Sequence, residues 1–102
     1  MPTIFEYFGI RLVFFSNEHF PVHIHAFYNE EYGMRIEFKI ENSIITEITY
    51  RTQKGYKTFP PKQRRDLTKL ISVHQYEIVN DWINFVVLNN RVERKIITQR
   101  IN

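Results

Sequence analysis

Through the first half of the chain, apolar and polar side chains alternate; beyond the paired prolines, apolar residues recur at steps of three and four. The alternation is clearest over Met34–Ile40, where Met34, Ile36, Phe38 and Ile40 interleave with Arg35, Glu37 and Lys39. That period of two predicts a half-buried strand. Val22–Tyr28 reads the same way. Val22, Ile24, Ala26 and Tyr28 share one face, and His23, His25 and Phe27 share the other. Upstream, Thr3–Phe8 and Ile10–Ser16 are rich in β-branched and aromatic residues and are separated by Gly9, which turns freely at positive φ. Asn29–Gly33 and Glu41–Ser43 are turn-like, and Ile44–Tyr50 predicts a further strand with Ile44, Ile48 and Tyr50 on one side. Consecutive strands joined by short polar turns predict an antiparallel meander.

Pro60-Pro61 is suited to a first helical turn, where a missing N–H costs nothing. Leu67, Leu70, Ile71, His74, Ile78, Trp82, Phe85 and Val86 then form one apolar stripe on a helix reaching about Leu88, with Asn89-Asn90 as its stop. Arg51–Phe59 is polar and predicts a loop, and Val92–Ile101 predicts an edge strand or a docked tail. The expected fold is α+β and one domain over residues 1–102. A twisted antiparallel sheet of four to five strands fills the N-terminal half, one long C-terminal helix packs on one face, and a short C-terminal strand or tail follows. One helix covers one face. The other face, with His23, His25, Arg35, Glu37 and Lys39, is expected to be exposed.

Composition removes some chemistry. The chain has no cysteine, so disulfides, thiolate metal sites and a cysteine nucleophile are excluded, and a reducing, cytoplasmic setting is expected. Its longest apolar runs are far shorter than the roughly 20 residues that span a bilayer, and MPTIFEYFG predicts no export signal. No membrane association is expected. Charge is uneven. Residues 1–50 carry three Lys/Arg against seven Asp/Glu, and residues 51–102 carry eleven against four. Lys62, Arg64, Arg65 and Lys69 crowd the start of the helix, where the dipole prefers anions. Tyr50, Tyr56 and Phe59 interleave with Arg51, Lys54 and Lys57, a spacing also found in single-stranded nucleic-acid binders. Nucleic acid or an acidic protein would fit this half, as would a plain solvated surface.

Three of the four histidines fall in SNEHFPVHIHAFY, residues 16–28. A hairpin with Tyr28 opposite Met34 would set His25 across from Glu37, His23 across from Lys39 and Phe27 across from Arg35. Three readings follow. His19, His23 and His25 could hold a divalent metal such as zinc, or move protons, with Glu37 as ligand or base and His19 and Glu37 as the catalytic candidates of a metal-assisted hydrolase or nuclease. Arg35 and Lys39 beside such a site would oppose a cation. Alternatively, His23, His25, Arg35 and Lys39, with Lys62, Arg64 and Arg65, could form a binding surface for a protein partner. The histidines could also be ordinary sheet decoration. His74 is expected to be a core residue hydrogen-bonded at the sheet edge.

Met1-Pro2-Thr3-Ile4, Phe8-Gly9-Ile10 and Asn17-Glu18-His19-Phe20-Pro21-Val22-His23-Ile24-His25-Ala26 resemble the bacterial family catalogued as domain of unknown function 4160. That family's motif is an Asn-acidic-His, a proline pair and a His-x-His-Ala strand. Arg65-Asp66-Leu67, Glu77-Ile78 and Trp82 are similar to its helix, and Ile96-Ile97-Thr98 to the tail of its longer members. Val22 stands where the second proline is usual, and the Arg51–Phe59 loop is longer than in many members. The resemblance implies no particular reaction. It implies one member of a two-protein, toxin–antitoxin-like system, whose partner is a small protein encoded nearby.

Overall fold

The computed structural model describes residues 3–15 and 18–101. Ser16, the expected end of the second strand, and Asn17, the first residue of the Asn-Glu-His motif, lie outside the described residues, as do Met1 and Pro2. Five strands follow in order: β1 (Thr3–Tyr7), β2 (Ile10–Val13), β3 (His23–Tyr28), β4 (Tyr32–Glu41) and β5 (Ile44–Thr52). Helix α1 (Pro61–Trp82) continues into a π-helical turn, Ile83–Val87, and a short strand β6 (Lys95–Ile97) comes last. The fold is α+β, as the periodicities predict.

The sheet order is β5-β4-β3-β2-β1-β6. The first five strands form the expected antiparallel meander. β6 departs from it by running parallel to β1, so the sheet is mixed rather than wholly antiparallel. Its chain direction is set by the long return from the helix, which brings it back along the edge of β1. Positive φ falls on Gly9 at 85° and on Asn29 and Asn42 at 51° and 52°, residues that accept it, and also on Phe8 at 45° and Ser43 at 66° in the same turns. Asn89, at 58°, ends the helical run where an asparagine stop is expected.

Helix α1 lays Leu67, Leu70, Ile71, Ile78 and Trp82 against Leu12, Ile24, Ala26 and Ile36 of the sheet, and all of these are fully buried. This is the apolar face predicted by alternation. One element of it shifts. Ile44, expected on the core side, is exposed, whereas Ile45 packs on the core. A bulge between Lys39 and Ile40 pairs Ile40 with Ile45 and moves the alternation by one residue. β5 also runs two residues further than expected, to Thr52, before the loop begins.

β6 is held by charge. Lys95 Nζ lies 2.9 Å from Glu77 Oε2 and 3.0 Å from Asp81 Oδ2, and it stands over the Phe5 ring. The hydrogen bond from Lys95 holds the Glu77 carboxyl below its usual pKa. Burial favours neutral Lys95, but Glu77 and Asp81 outweigh it and the ammonium's pKa is raised. Further on, Arg100 reaches Asp66 at 3.0 Å and Ile101 N–H donates to the Tyr7 hydroxyl.

Candidate metal centre

The β3–β4 hairpin is tighter than expected, and this changes who faces the histidines. Tyr28 pairs with Tyr32 rather than with Met34, because the turn is Asn29-Glu30-Glu31 and Tyr32 already belongs to β4. Every cross-strand partner moves by two residues. His23 stands opposite Glu37 and His25 opposite Arg35, while Phe27 meets Gly33. A shift of two preserves the faces, so His23, His25, Arg35 and Glu37 still share the side away from α1.

That side is not open at the histidines. His23 and His25 are 3% and 4% exposed. The expectation of an exposed histidine face fails because Phe15 and Glu18 lie over it. Phe15 packs edge-on against the His25 ring, with centroids 4.3 Å apart, and Glu18 lays its carboxylate between the two imidazoles. Farther along the same strands, Arg35 and Glu37 are part-exposed and Lys39 is exposed beside Glu41.

The contacts around the two rings define their chemistry. His23 Nδ1 lies 2.7 Å from the Pro21 carbonyl oxygen, which can only accept, so this nitrogen carries the hydrogen. His25 Nδ1 lies 2.9 Å from Gln53 Oε1 and donates in the same way. Both Nε2 atoms point to one place, and Glu18 is there: Oε2 is 2.6 Å from His23 Nε2, and Oε1 is 2.9 Å from His25 Nε2, a hydrogen bond to an oxygen that can only accept. The His23 contact is short but misaligned for a hydrogen bond, and among the described residues this buried nitrogen has no hydrogen-bond partner. Neutral rings with both hydrogens on Nδ1 would leave three acceptors at one point. Only a cation relieves that arrangement, either a proton on a ring nitrogen or a metal ion among all three.

The donors fit a metal. One atom each from Glu18, His23 and His25 lies within 4.8 Å of the others. Zinc–ligand distances of about 2.0–2.1 Å put tetrahedral donors about 3.3 Å apart, so the Glu18 oxygens would have to draw back from His23 and His25 by about 0.7 and 0.4 Å. Each histidine also has the outer partner that metal-bound imidazoles use to fix their tautomer. Trp82, whose ring centroid is 6.3 Å from that of His23, and Phe20, which packs on Trp82, supply an apolar flank.

The other expected site residues are placed elsewhere. His19 is exposed and does not join the cluster; Glu18, its neighbour, supplies the third donor. Glu37 binds arginines, accepting from Arg35 Nε at 3.2 Å and Arg51 Nη2 at 2.9 Å, and is not a donor of the cluster. Lys62 pairs with Asp66, and Arg64 stacks over Tyr50 at 4.1 Å, on the helix side of the sheet. Burial raises the Tyr50 pKa, and Arg64 opposes that shift. Asp66 is held below the usual carboxylate range: burial works against ionisation, but Arg100 and Lys62 prevail. Thus Lys62 and Arg64 have partners within the chain, and with Arg65 they lie on α1, across the sheet from the histidines. His74 is part-exposed rather than core, bonded through Nδ1 to Glu77 at 3.1 Å and packed on Phe5. Sequence reasoning missed two residues here. Glu18 was visible as the acidic member of the Asn-Glu-His motif. Gln53, in a distant loop, gave no signal.

The family model described as "Domain of unknown function (DUF4160)" matches residues 9–83, which take in the Glu18–His25 segment, Gln53 and all of α1. No curated protein and no solved structure matches the chain.

Proposed function

Because the chain belongs to the family of domain of unknown function 4160, whose description names no reaction, we propose a function from the site itself: metal-dependent hydrolysis at a divalent cation, zinc by its donor set, held by Glu18, His23 and His25. One observation carries the reading, the convergence of two imidazole Nε2 atoms and a carboxylate on one point. Two imidazoles and a carboxylate form the ligand set of catalytic rather than closed structural zinc sites, with a fourth position left for water. When bound, the cation would lower the pKa of that water toward about 7 and polarise a substrate oxygen. The protein's part is to fix both rings through Pro21 and Gln53, and to keep the flank apolar with Phe15, Phe20 and Trp82.

The test uses tag-free protein loaded with zinc and assayed on carboxylic esters, amides and phosphodiesters. Hydrolysis of one of these classes should be lost in His25→Ala and retained in His19→Ala. Zinc-loaded protein inert towards all three would refute the hydrolase reading.

A second reading keeps the two-protein system but moves its contact surface. Phe20, Pro21, Val22, Phe38, Ile40 and Ile83 line an apolar groove edged by Lys39, and Phe20 is 70% exposed. A small partner protein encoded nearby would bind there rather than on His23 and His25, which are buried. Co-purification of the pair, abolished by Phe20→Asp, is the expected result; a pair that never associates at micromolar concentration rejects it.

A further inference from the structure

We propose that Arg35 and Arg51, held side by side by Glu37, form a phosphoryl-binding subsite of the Glu18/His23/His25 centre, so that its substrates are phosphate esters. The inference rests on the metal reading above and names the substrate class it leaves open.

Strand pairing brings the groups together. His25 stands directly opposite Arg35 across β3–β4, and Arg35 directly opposite Arg51 across β4–β5. Directly opposed residues have Cβ atoms about 4.5–5.5 Å apart, so Arg35 starts one strand and Arg51 two strands from His25, on the same face of the sheet and each on a side chain long enough to reach towards the histidine site. Like charges placed directly opposite each other are destabilising unless something negative bridges them. Glu37 does so, but with little of the available hydrogen-bonding capacity. Arg35 gives it only Nε, and Arg51 gives it only Nη2. Among the described residues, no partner takes the two Nη atoms of Arg35 or the Nε and Nη1 of Arg51. These are the groups that bind two phosphate oxygens at once.

Charge balance points the same way. The carboxylates of Glu18 and Glu37 balance the guanidiniums of Arg35 and Arg51. A bound divalent cation would leave its full charge uncompensated beside two part-exposed forks. A neutral ester or amide leaves that charge unmatched, whereas a phosphate group places one oxygen at the metal and others on the arginines.

The experiment titrates inorganic phosphate, phenyl phosphate and dimethyl phosphate into zinc-loaded, tag-free protein by calorimetry at low ionic strength. At least one should bind, and Arg51→Ala should weaken that binding about tenfold or more without changing the zinc content. Arg51→Lys, which keeps the charge but loses the fork, should fall between. Because Arg51 is 63% exposed, these variants should melt with the wild type. If phenyl phosphate binds with this dependence the subsite serves monoesters, and if dimethyl phosphate does, diesters; either supports the inference. Zinc retained with no phosphate species bound, or bound equally well by Arg51→Ala, overturns it and leaves the metal centre standing. Protein that takes up no zinc fails the earlier reading instead, and the subsite with it.

Discussion

Replacing Glu18 by glutamine should uncouple the stability of the fold from zinc. In the wild type the two rings are already fixed, His23 by the Pro21 carbonyl and His25 by Gln53. Binding therefore orders little that is not ordered, and the donors need only separate from 2.6 and 2.9 Å to about 3.3 Å. A ligand that binds only the folded state, present at a hundred times its dissociation constant, stabilises by about 2.7 kcal/mol. For a domain of this size about 1 kcal/mol moves the melting temperature by about 4–8 °C, so saturating zinc should raise it by roughly 10–20 °C. The Glu18→Gln amide would keep the volume and lose the anionic ligand, and the rise should shrink to a third or less. His25→Ala should show none, whereas His19→Ala should match the wild type. The assay is a thermal melt followed by Trp82 fluorescence, with zinc titrated against a matched chelator. Equal rises in the wild type and in Glu18→Gln would refute the reasoning, because zinc would then be held by exposed side chains and not by the cluster.

Two further predictions concern the frame. A Cβ on Gly33 would stand 2.8 Å from Tyr56 Cγ and 3.2 Å from Phe27 Cδ1, so Gly33→Ala should cost about 1–3 kcal/mol in a denaturant titration, and adding Tyr56→Ala should restore part of it; an unchanged midpoint would count against this packing. The β6 latch should weaken in acid. The pKa values of Glu77 and Asp66 are depressed in the fold, so their contribution is present above their unfolded values near pH 4 and is lost as pH falls through the lower folded values. Lys95 has the opposite sign, its contribution lasting until pH rises through its elevated value. Amide exchange at Ile96 and Ile97 should accelerate selectively below about pH 4, and Lys95→Met should show that acceleration already at pH 6; identical exchange in the two proteins at pH 6 would reject the latch.

Local pattern made the strand faces legible. Met34, Ile36 and Phe38 are core residues, and Arg35, Glu37 and Lys39 are not, because side-chain direction along a strand follows from the pleat alone. The helix was legible for the same reason, with Leu67, Leu70, Ile71, Ile78 and Trp82 as its buried stripe. What alternation does not encode is the partner. The two-residue shift at Tyr28–Tyr32 leaves every face unchanged, so both registers satisfy the hydrophobic pattern. The parallel β6 depends on a return path of many residues, and the Lys39–Ile40 bulge on packing at a strand end. The histidine site fails to show itself for a related cause. A strand places His23 and His25 side by side, but their burial comes from Phe15 and Glu18 folding over them, and nothing in the period of a strand predicts where a connecting segment will lie. His19 and Glu18 are adjacent, and spacing cannot decide which of them turns inward.

Metal content is the direct test of the centre. Tag-free protein dialysed against trace zinc and analysed by mass spectrometry should hold one zinc ion per chain, lost in Glu18→Ala, His23→Ala and His25→Ala and retained in His19→Ala and Glu37→Gln. A wild type that emerges metal-free, or that loses its zinc when His19 rather than Glu18 is replaced, would contradict the account.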